Sequence, residues 1–158
     1  MNRLAALLLI MVVAANLSAE EMKIMDEDKL QQFSIDYTAA WNSGIPEKVA
    51  SFYDERGSLT VNGGDPAVGR TAIAEVARGF MVAFPDLVLE FDGLEHVNHR
   101  VQYHWTFKGT NTGAGGTGNA VDFSGFESWV FSETGLILES LGNFDAVEYE
   151  QQLSGSAR

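Results

Sequence analysis

The chain has 158 residues and no cysteine, and 22 acidic residues outnumber 10 basic ones, giving a formal net charge of −12. This length suits one domain, and the lack of cysteine excludes disulfides, thiolate metal sites and cysteine nucleophiles. The negative charge disfavours binding to nucleic acid phosphates and anionic lipid surfaces. This charge is compatible with neutral or cationic small ligands.

The first nineteen residues have the pattern of a secretory signal peptide. Arg3 precedes an apolar run from Leu4 to Ala15, and small residues follow at Ser18 and Ala19. The run is shorter than the roughly 20 residues that span a bilayer, so no stable membrane anchor is expected. Cleavage after Ala15 is an alternative to cleavage after Ala19, and a buried N-terminal helix is the alternative to a signal. The pattern predicts a periplasmic or secreted protein.

Three amphipathic helices are predicted in the first part of the chain. Apolar residues recur at three- and four-residue steps from Asp26 to Asn42, which is typical of one helix face. A second helix is expected to begin at Pro46, since proline suits the first turn, and a third is expected from Arg70 to Ala83, ended by Pro85. The inner face of the second helix is predicted to comprise Val49, Phe52 and Tyr53.

Strands dominate the rest of the sequence. Ser58–Val61 is a short candidate strand, and from Leu87 onward the apolar period changes from 3.6 to 2 residues. Turns are expected at residues 96–100, 113–118 and 132–135, and the last strand at Leu136–Asp145. Helices followed by an antiparallel meander predict an α+β fold. Residues 154–158 are expected to form a disordered tail.

Several segments together resemble one known family in their order and spacing. They are Ala39–Asn42, Gly69–Ile73, Phe84–Leu87, the strand segment Val101–Trp129 and Asp145–Leu153. The order resembles the SnoaL-like polyketide cyclase branch of the nuclear transport factor 2-like superfamily. The resemblance implies one domain over residues 20–153. It also implies a cone-shaped fold in which three N-terminal helices pack on a curved, mainly antiparallel sheet and enclose a pocket.

Asp145 is the first candidate for a catalytic residue. The matching carboxylate of SnoaL-like cyclases shuttles a proton during an intramolecular aldol closure. Ile137 and Leu141 share a strand face with Asp145 if alternation is regular, so we expect the carboxylate to face an enclosed apolar cavity and to have a raised pKa. The alternative is that Asp145 caps the C-terminal helix.

His104 and Asn111 are the next polar candidates. His104 occupies a position where the family often has arginine, and it could polarise a ligand carbonyl or pair with Asp145. The alternative places it on the solvent side of the sheet. Asn111 stands where the family usually has histidine. Asparagine can hold a hydrogen bond but cannot transfer a proton, so we predict a ligand-binding role for it.

A further set of side chains is predicted to line the pocket, since ligand pockets are mostly apolar with a few polar groups. Glu127 is included because it shares strand parity with Phe123 and Trp129. Packing in the core is the alternative for the aromatic members. The predicted ligand-binding residues besides Asn111 are Trp41, Tyr37, Trp105, Glu127 and Trp129.

Three sequence motifs lack the structural context that their chemistry requires. Gly113–Gly118 has the letters of a dinucleotide-binding loop, but a strand rather than a helix follows it. His96, His99 and His104 are not expected to share a metal ion. Ser124-Gly125 lacks the strand-to-helix turn of a nucleophile elbow. The sequence predicts neither a cofactor nor a metal.

Three functions remain open at this point. The first is a cofactor-independent isomerase or cyclase that uses acid–base chemistry on a small apolar or neutral molecule. The second is a carrier that binds such a molecule without turnover. The third is a dimerisation module, because the resemblance implies a homodimer through the outer face of the sheet.

Overall fold

A computed structural model describes residues 25–156. Within this range, four helices accompany one six-stranded sheet, and no helix is long and apolar enough to cross a membrane. The predicted signal peptide, residues 1–19, lies outside the described residues. The elements are α1 (Glu27–Asn42), α2 (Pro46–Ala50), β1 (Tyr53–Val61), β2 (Ala67–Val68), α3 (Arg70–Ala83), β3 (Val88–Val97), β4 (Arg100–Thr110), β5 (Ala120–Phe131), β6 (Ile137–Phe144) and α4 (Ala146–Ser154).

The sheet is curved and open, with the strand order β2-β1-β6-β5-β4-β3. β1 runs parallel to β6, and the other neighbouring pairs among the described strands are antiparallel. The α+β class is confirmed. The predicted arrangement of three N-terminal helices needs correction, because β1 and β2 come before α3 and α4 follows the last strand.

The first and third helices begin and end close to where the sequence predicts. Asp26 caps α1 by accepting a hydrogen bond from the Asp28 N–H at 3.0 Å. Gly44, with a φ of 67°, follows the end of this helix. The third helix, α3, ends at Ala83 before Phe84 and Pro85, as predicted. Both helices pack on the inner face of the sheet, so the core lies between the helices and the strands.

The second helix is shorter than predicted. It ends at Ala50, and Tyr53 begins β1 rather than continuing the helix. The Phe52 carbonyl accepts a hydrogen bond from the Ile137 N–H at 2.9 Å. Pairing with β6 therefore takes this segment out of the helix, and a contact so distant in the sequence is invisible to local periodicity.

An extra residue in β6 changes which side chains face the core. Ile137 pairs with Phe131 and Glu139 pairs with Val130, which leaves Leu138 as a β-bulge. Ile137 is buried, but Ser140 and Gly142 are the next buried positions. The alternation is therefore inverted after the bulge, and Leu141 lies on the outer face with 36% exposure.

The C-terminal segment is more ordered than the predicted tail. Ser154 is the last residue of α4, and Gly155 ends the helix with a left-handed φ of 75°. The helix therefore extends by one residue into the segment predicted as a tail. Residues 157–158 lie outside the described part of the chain.

Candidate functional site

An apolar cavity lies between the inner face of the sheet and helices α1 and α3. The cavity volume is about 50 Å³, which is enough for a few water molecules. Glu127 is the one ionisable residue in the described lining. The lining residues are Trp41, Leu59, Val61, Val76, Phe80, Leu89, Trp105, Phe107, Phe123, Glu127, Gly142 and Phe144.

Glu127 projects from the inner face of β5 and is 6% exposed. Its Oε2 accepts hydrogen bonds from Ser140 Oγ at 2.6 Å and Trp129 Nε1 at 2.9 Å. The hydroxyls of Tyr37 and Tyr53 lie 3.1 and 3.2 Å from the same oxygen. Oε1 has a single protein contact among the described residues, the Tyr37 hydroxyl at 3.1 Å. The two carboxyl oxygens are therefore unequally used, and Oε1 has fewer hydrogen-bond partners than Oε2.

The surroundings of Glu127 favour the neutral acid. Burial raises the pKa of the carboxyl, and the hydrogen bonds from Ser140, Trp129, Tyr37 and Tyr53 oppose this in part. Within residues 25–156, Glu127 forms no salt bridge. A buried carboxylate without a cation is costly, so the group holds its proton to higher pH than an exposed glutamate does.

The two tyrosines that contact Glu127 also contact each other. Their hydroxyl oxygens lie 3.0 Å apart. Burial and the charge of Glu127 raise the pKa of both phenols. Each hydroxyl has only one proton, so Tyr37 can donate to one carboxyl oxygen at a time while it accepts from Tyr53. The three residues form a connected chain along which a proton can be redistributed.

Two tryptophans predicted to bind ligand, Trp41 and Trp105, line the cavity. Among the described residues, the Trp41 indole nitrogen is the one buried side-chain polar atom without a hydrogen-bond partner. The cavity wall therefore contains an unsatisfied polar group, and an unpaired buried donor costs about 1–3 kcal/mol.

Asp145 does not face an enclosed cavity, and that prediction is wrong. Its side chain is exposed and caps α4 by accepting hydrogen bonds from the Val147 N–H at 2.9 Å and the Glu148 N–H at 3.0 Å. The parity argument fails because the bulge at Leu138 inverts the alternation of β6 between Ile137 and Asp145. Asp145 therefore has the alternative role of a helix cap.

His104 lies on the outer face of the sheet, opposite the cavity. Its side chain is 37% exposed, and its Nε2 is 3.6 Å from Glu95 Oε2. Its ring also contacts Phe126, with centroids 5.7 Å apart. The imidazole therefore cannot pair with Asp145 or reach a ligand beside Glu127, and the solvent-side alternative is correct.

Asn111 is buried but organises a loop instead of lining the cavity. Its Oδ1 accepts a hydrogen bond from the Thr117 N–H at 2.7 Å, and its Nδ2 donates to the Ala83 carbonyl at 3.2 Å. These bonds fasten the loop between β4 and β5 to the end of α3. Both ends of the amide are used by the protein, and Asn111 is absent from the described lining of the cavity.

Tyr37 and Trp129, the remaining predicted ligand-binding residues, lie behind Glu127 rather than on the cavity wall. Ser140 and Gly142 were missed as members of the site. Their inward direction depends on the bulge at Leu138, and the sequence carries no clear signal of that bulge. Tyr53 was predicted to lie on a helix, although its inward direction is correct.

The fold and the buried acid define an α+β cavity protein, and the sequence places it in a family. The profile of the SnoaL-like polyketide cyclase family matches residues 31–153. The chain belongs to this family. No curated protein matches the chain significantly.

Solved structures with similar folds share little sequence with this chain. TsrD from Streptomyces laurentii has a TM-score of 0.68 at 18% identity, over 82% of this chain and 97% of its own. SalBIII, an epoxide hydrolase/cyclase-like enzyme in pyran ring formation of salinomycin, gives 0.66 at 17% identity, over 78% and 95%. A Catenulispora acidiphila protein with a ketosteroid isomerase-like fold, in complex with trimethylamine, gives 0.67 at 11% identity, over 77% and 91%. These similarities show the nuclear transport factor 2-like fold.

Proposed function

We propose that this protein binds a small, neutral, largely apolar molecule in the cavity and exchanges a proton with it through Glu127. The observation that supports this is a buried carboxyl group in an otherwise apolar wall. One of its oxygens has a single hydrogen-bond contact among the described residues. The proposed reaction class is a cofactor-independent isomerisation or cyclisation. Membership of the SnoaL-like polyketide cyclase family is consistent with that class, as is the cyclase-like description of SalBIII.

In the proposed reaction, the ionised Glu127 removes a proton from a carbon next to a ligand carbonyl. The electron pair of the broken C–H bond moves into the carbonyl system and forms an enolate. The resulting carboxylic acid then returns the proton to another carbon, or to oxygen after ring closure, so Glu127 is regenerated. Because the pKa of Glu127 is raised towards neutral pH, its carboxylate is a stronger base than that of an exposed glutamate. Tyr37 and Tyr53 stabilise the ionised form before the first transfer and after the second.

Binding without turnover is the second candidate. The described lining of the cavity favours this candidate, because it contains a single ionisable residue and so offers no second acid or base. Neither His104 nor Asp145 is there to assist, and the proposed enolate has no cationic group nearby. A carrier needs only the apolar wall and one polar anchor.

Proton exchange on a simple ketone separates these candidates. The test measures the rate at which cyclopentanone loses its α-protons in deuterated water, by NMR, with the purified protein and two variants. We expect exchange to be accelerated by the native protein and lost by roughly 100-fold or more in Glu127→Gln, the usual contribution of a general base. Asp145→Asn, a matched change of an exposed carboxylate, should retain it.

Two outcomes would change the conclusion. Binding of cyclopentanone that depends on Glu127, without accelerated exchange, would favour the carrier. Equal binding and exchange in the native protein and Glu127→Gln would contradict the proposal and leave Glu127 a purely structural group.

We also propose that the protein is exported to the periplasm or secreted after removal of residues 1–19 or 1–15. The support is Arg3 and the apolar run that follows it. N-terminal sequencing of periplasmic material should begin at residue 16 or 20. Periplasmic protein that still begins at Met1 would contradict this.

A homodimer through the outer face of the sheet is a further proposal. This face presents Val88 and Leu141, which are 47% and 36% exposed, and the half-buried Phe126. Light scattering at tens of micromolar should give twice the monomer mass. Leu141→Glu should shift the protein to the monomer mass, and a monomer mass for the native protein would contradict the proposal.

A further inference from the structure

Gly142 lies next to Glu127 on the inner face of the sheet. It pairs with Glu127 across β5 and β6 and with Val61 across β1 and β6. A Cβ added at Gly142 would have two atoms within 4 Å, the Thr60 carbonyl oxygen at 3.4 Å and Glu127 Cγ at 3.9 Å. Both are ordinary or slightly close contacts. The volume that a side chain would occupy here is therefore part of the cavity.

Other inner-face glycines of the sheet do not leave such a space. A Cβ at Gly125 would lie 2.6 Å from ring atoms of Trp105, and one at Gly109 would lie 3.1 Å from Phe84 Cβ. At those positions an aromatic side chain already uses the room that glycine provides. Gly142 differs because its missing side chain leaves room beside an ionisable group, and a glycine within a strand often marks close approach of a ligand.

The less-bonded carboxyl oxygen of Glu127 limits which ligand atoms this space can accept. Oε2 of Glu127 has four side-chain contacts, whereas Oε1 has only the Tyr37 hydroxyl among the described residues. A ligand that carries a carbonyl or hydroxyl oxygen can hydrogen-bond with Oε1 when the carboxyl is protonated. An anionic ligand would meet a buried acid and no cation in the described lining, which is unfavourable.

We infer that Gly142 is a specificity-determining residue, and that the oxygen of a neutral ketone or alcohol occupies the space over Gly142 and meets Glu127. The apolar part of the ligand then lies against the aromatic wall. This inference rests on the proposed function, since it assumes that the cavity binds a ligand. It adds where the polar atom lies and what limits its size.

Two variants that each add one carbon to the wall test this inference. Gly142→Ala adds a methyl group beside Glu127, whereas Val76→Ile adds one on α3, across the cavity. Binding of cyclopentanone and of cyclopentane is measured for each by intrinsic fluorescence, because Trp41 and Trp105 line the cavity. Circular dichroism and thermal melting check that both variants fold.

The expected result is a selective loss. The native protein should bind cyclopentanone more tightly than cyclopentane, by roughly threefold to tenfold for one net hydrogen bond. Gly142→Ala should reduce this ratio towards one, and Gly142→Val should reduce it further. Val76→Ile should weaken both probes and leave the ratio unchanged.

The failure of this inference differs from the failure of the proposed function. If Gly142→Ala keeps the native ratio while Glu127→Gln loses proton exchange, the ligand oxygen does not occupy the space over Gly142 and the inference is wrong. If Glu127→Gln keeps the native proton exchange, or if neither probe binds the native protein, the proposed function fails as well.

Discussion

Glu127 and Asp145 lie close together in the sequence, on either side of β6, and have opposite surroundings. Glu127 is 6% exposed and is bonded by side chains from α1, β1, β5 and β6. Asp145 is exposed and is bonded by two backbone amides of the following helix. Donors from four separate elements create an environment that changes the chemistry of an acid. Two local amides fix a helix terminus and leave the acid in water.

The largest expected difference is in stability. Glu127→Ala leaves the buried donors of Ser140 and Trp129 without their acceptor, and it opens a void in the core. We expect a loss of about 3–5 kcal/mol in the free energy of unfolding, measured by urea denaturation. Glu127→Gln keeps the shape and one acceptor oxygen, so it should lose less. Equal losses in the two variants would show that the donors do not depend on the carboxyl.

The pH dependence of stability should distinguish the buried acid next. The unfolded chain loses the Glu127 proton near pH 4.5, the ordinary pKa of glutamate. The folded protein keeps this proton to higher pH, because folding raises the pKa of Glu127. The free energy of unfolding should therefore fall as the pH rises from 4.5 towards the folded-state pKa, by at most about 1.4 kcal/mol per pH unit. The contribution of Glu127 is measured as the difference in the free energy of unfolding between the native protein and Glu127→Gln from pH 4 to 8. A difference that does not vary with pH would contradict it.

Asp86 provides an exposed control of the opposite sign. The Thr110 N–H and hydroxyl donate to its carboxylate at 2.7 Å each and lower its pKa from 3.8. Its stabilising contribution is complete above pH 3.8 and is lost as the pH falls through the folded-state pKa. Asp86→Asn should therefore flatten the acid side of the stability curve and leave the slope above pH 4.5 intact.

Removing single tyrosine hydroxyls should have a smaller effect. Tyr37 contacts both oxygens of Glu127 and Tyr53 contacts one, and each bond favours the ionised form. Tyr37→Phe should raise the pKa of Glu127, because the lost hydrogen bond favours the ionised carboxylate. Tyr53→Phe should raise it less. A pH titration of fluorescence reports this, since Trp129 donates directly to Glu127, and an unchanged midpoint in Tyr37→Phe would break the proposed coupling.

The smallest expected effect is at the exposed acid. Asp145→Ala removes a helix cap and should lower the free energy of unfolding by about 1 kcal/mol. Cyclopentanone binding and proton exchange should be unchanged, because Asp145 does not line the cavity. Loss of exchange in this variant, with the fold intact by circular dichroism, would return the catalytic role to Asp145.

The sequence predicts well those features that depend on local periodicity. Helices α1 and α3 and the inward parity of Glu127 with Phe123 and Trp129 follow from spacing alone. The bulge at Leu138 does not, because it is visible only in the pairing of β5 with β6. One inserted residue was enough to exchange the faces of Leu141 and Ser140 and to misplace Asp145.

The composition of the site was harder to predict than its location. Glu127 was among the predicted ligand-binding residues, but Ser140 reaches it only when β6 is paired next to β5 in the observed register. Asn111 was placed in the pocket by analogy with a family histidine. Its amide instead hydrogen-bonds Thr117 in the loop and Ala83 at the end of α3. These contacts depend on the tertiary position of the loop, which local sequence does not specify.

The parallel pairing of β1 with β6 also has a consequence for folding kinetics. Tyr53 and Tyr37 lie 74 and 90 residues before Glu127 in the chain, and contacts at such separation form slowly because a long loop must close first. The carboxyl cannot receive all its donors until β1 has joined the hairpin of β5 and β6. Closing this seam pairs Tyr53 with Ile137 and brings the Tyr53 hydroxyl to Glu127, so the interior site should be completed late in refolding.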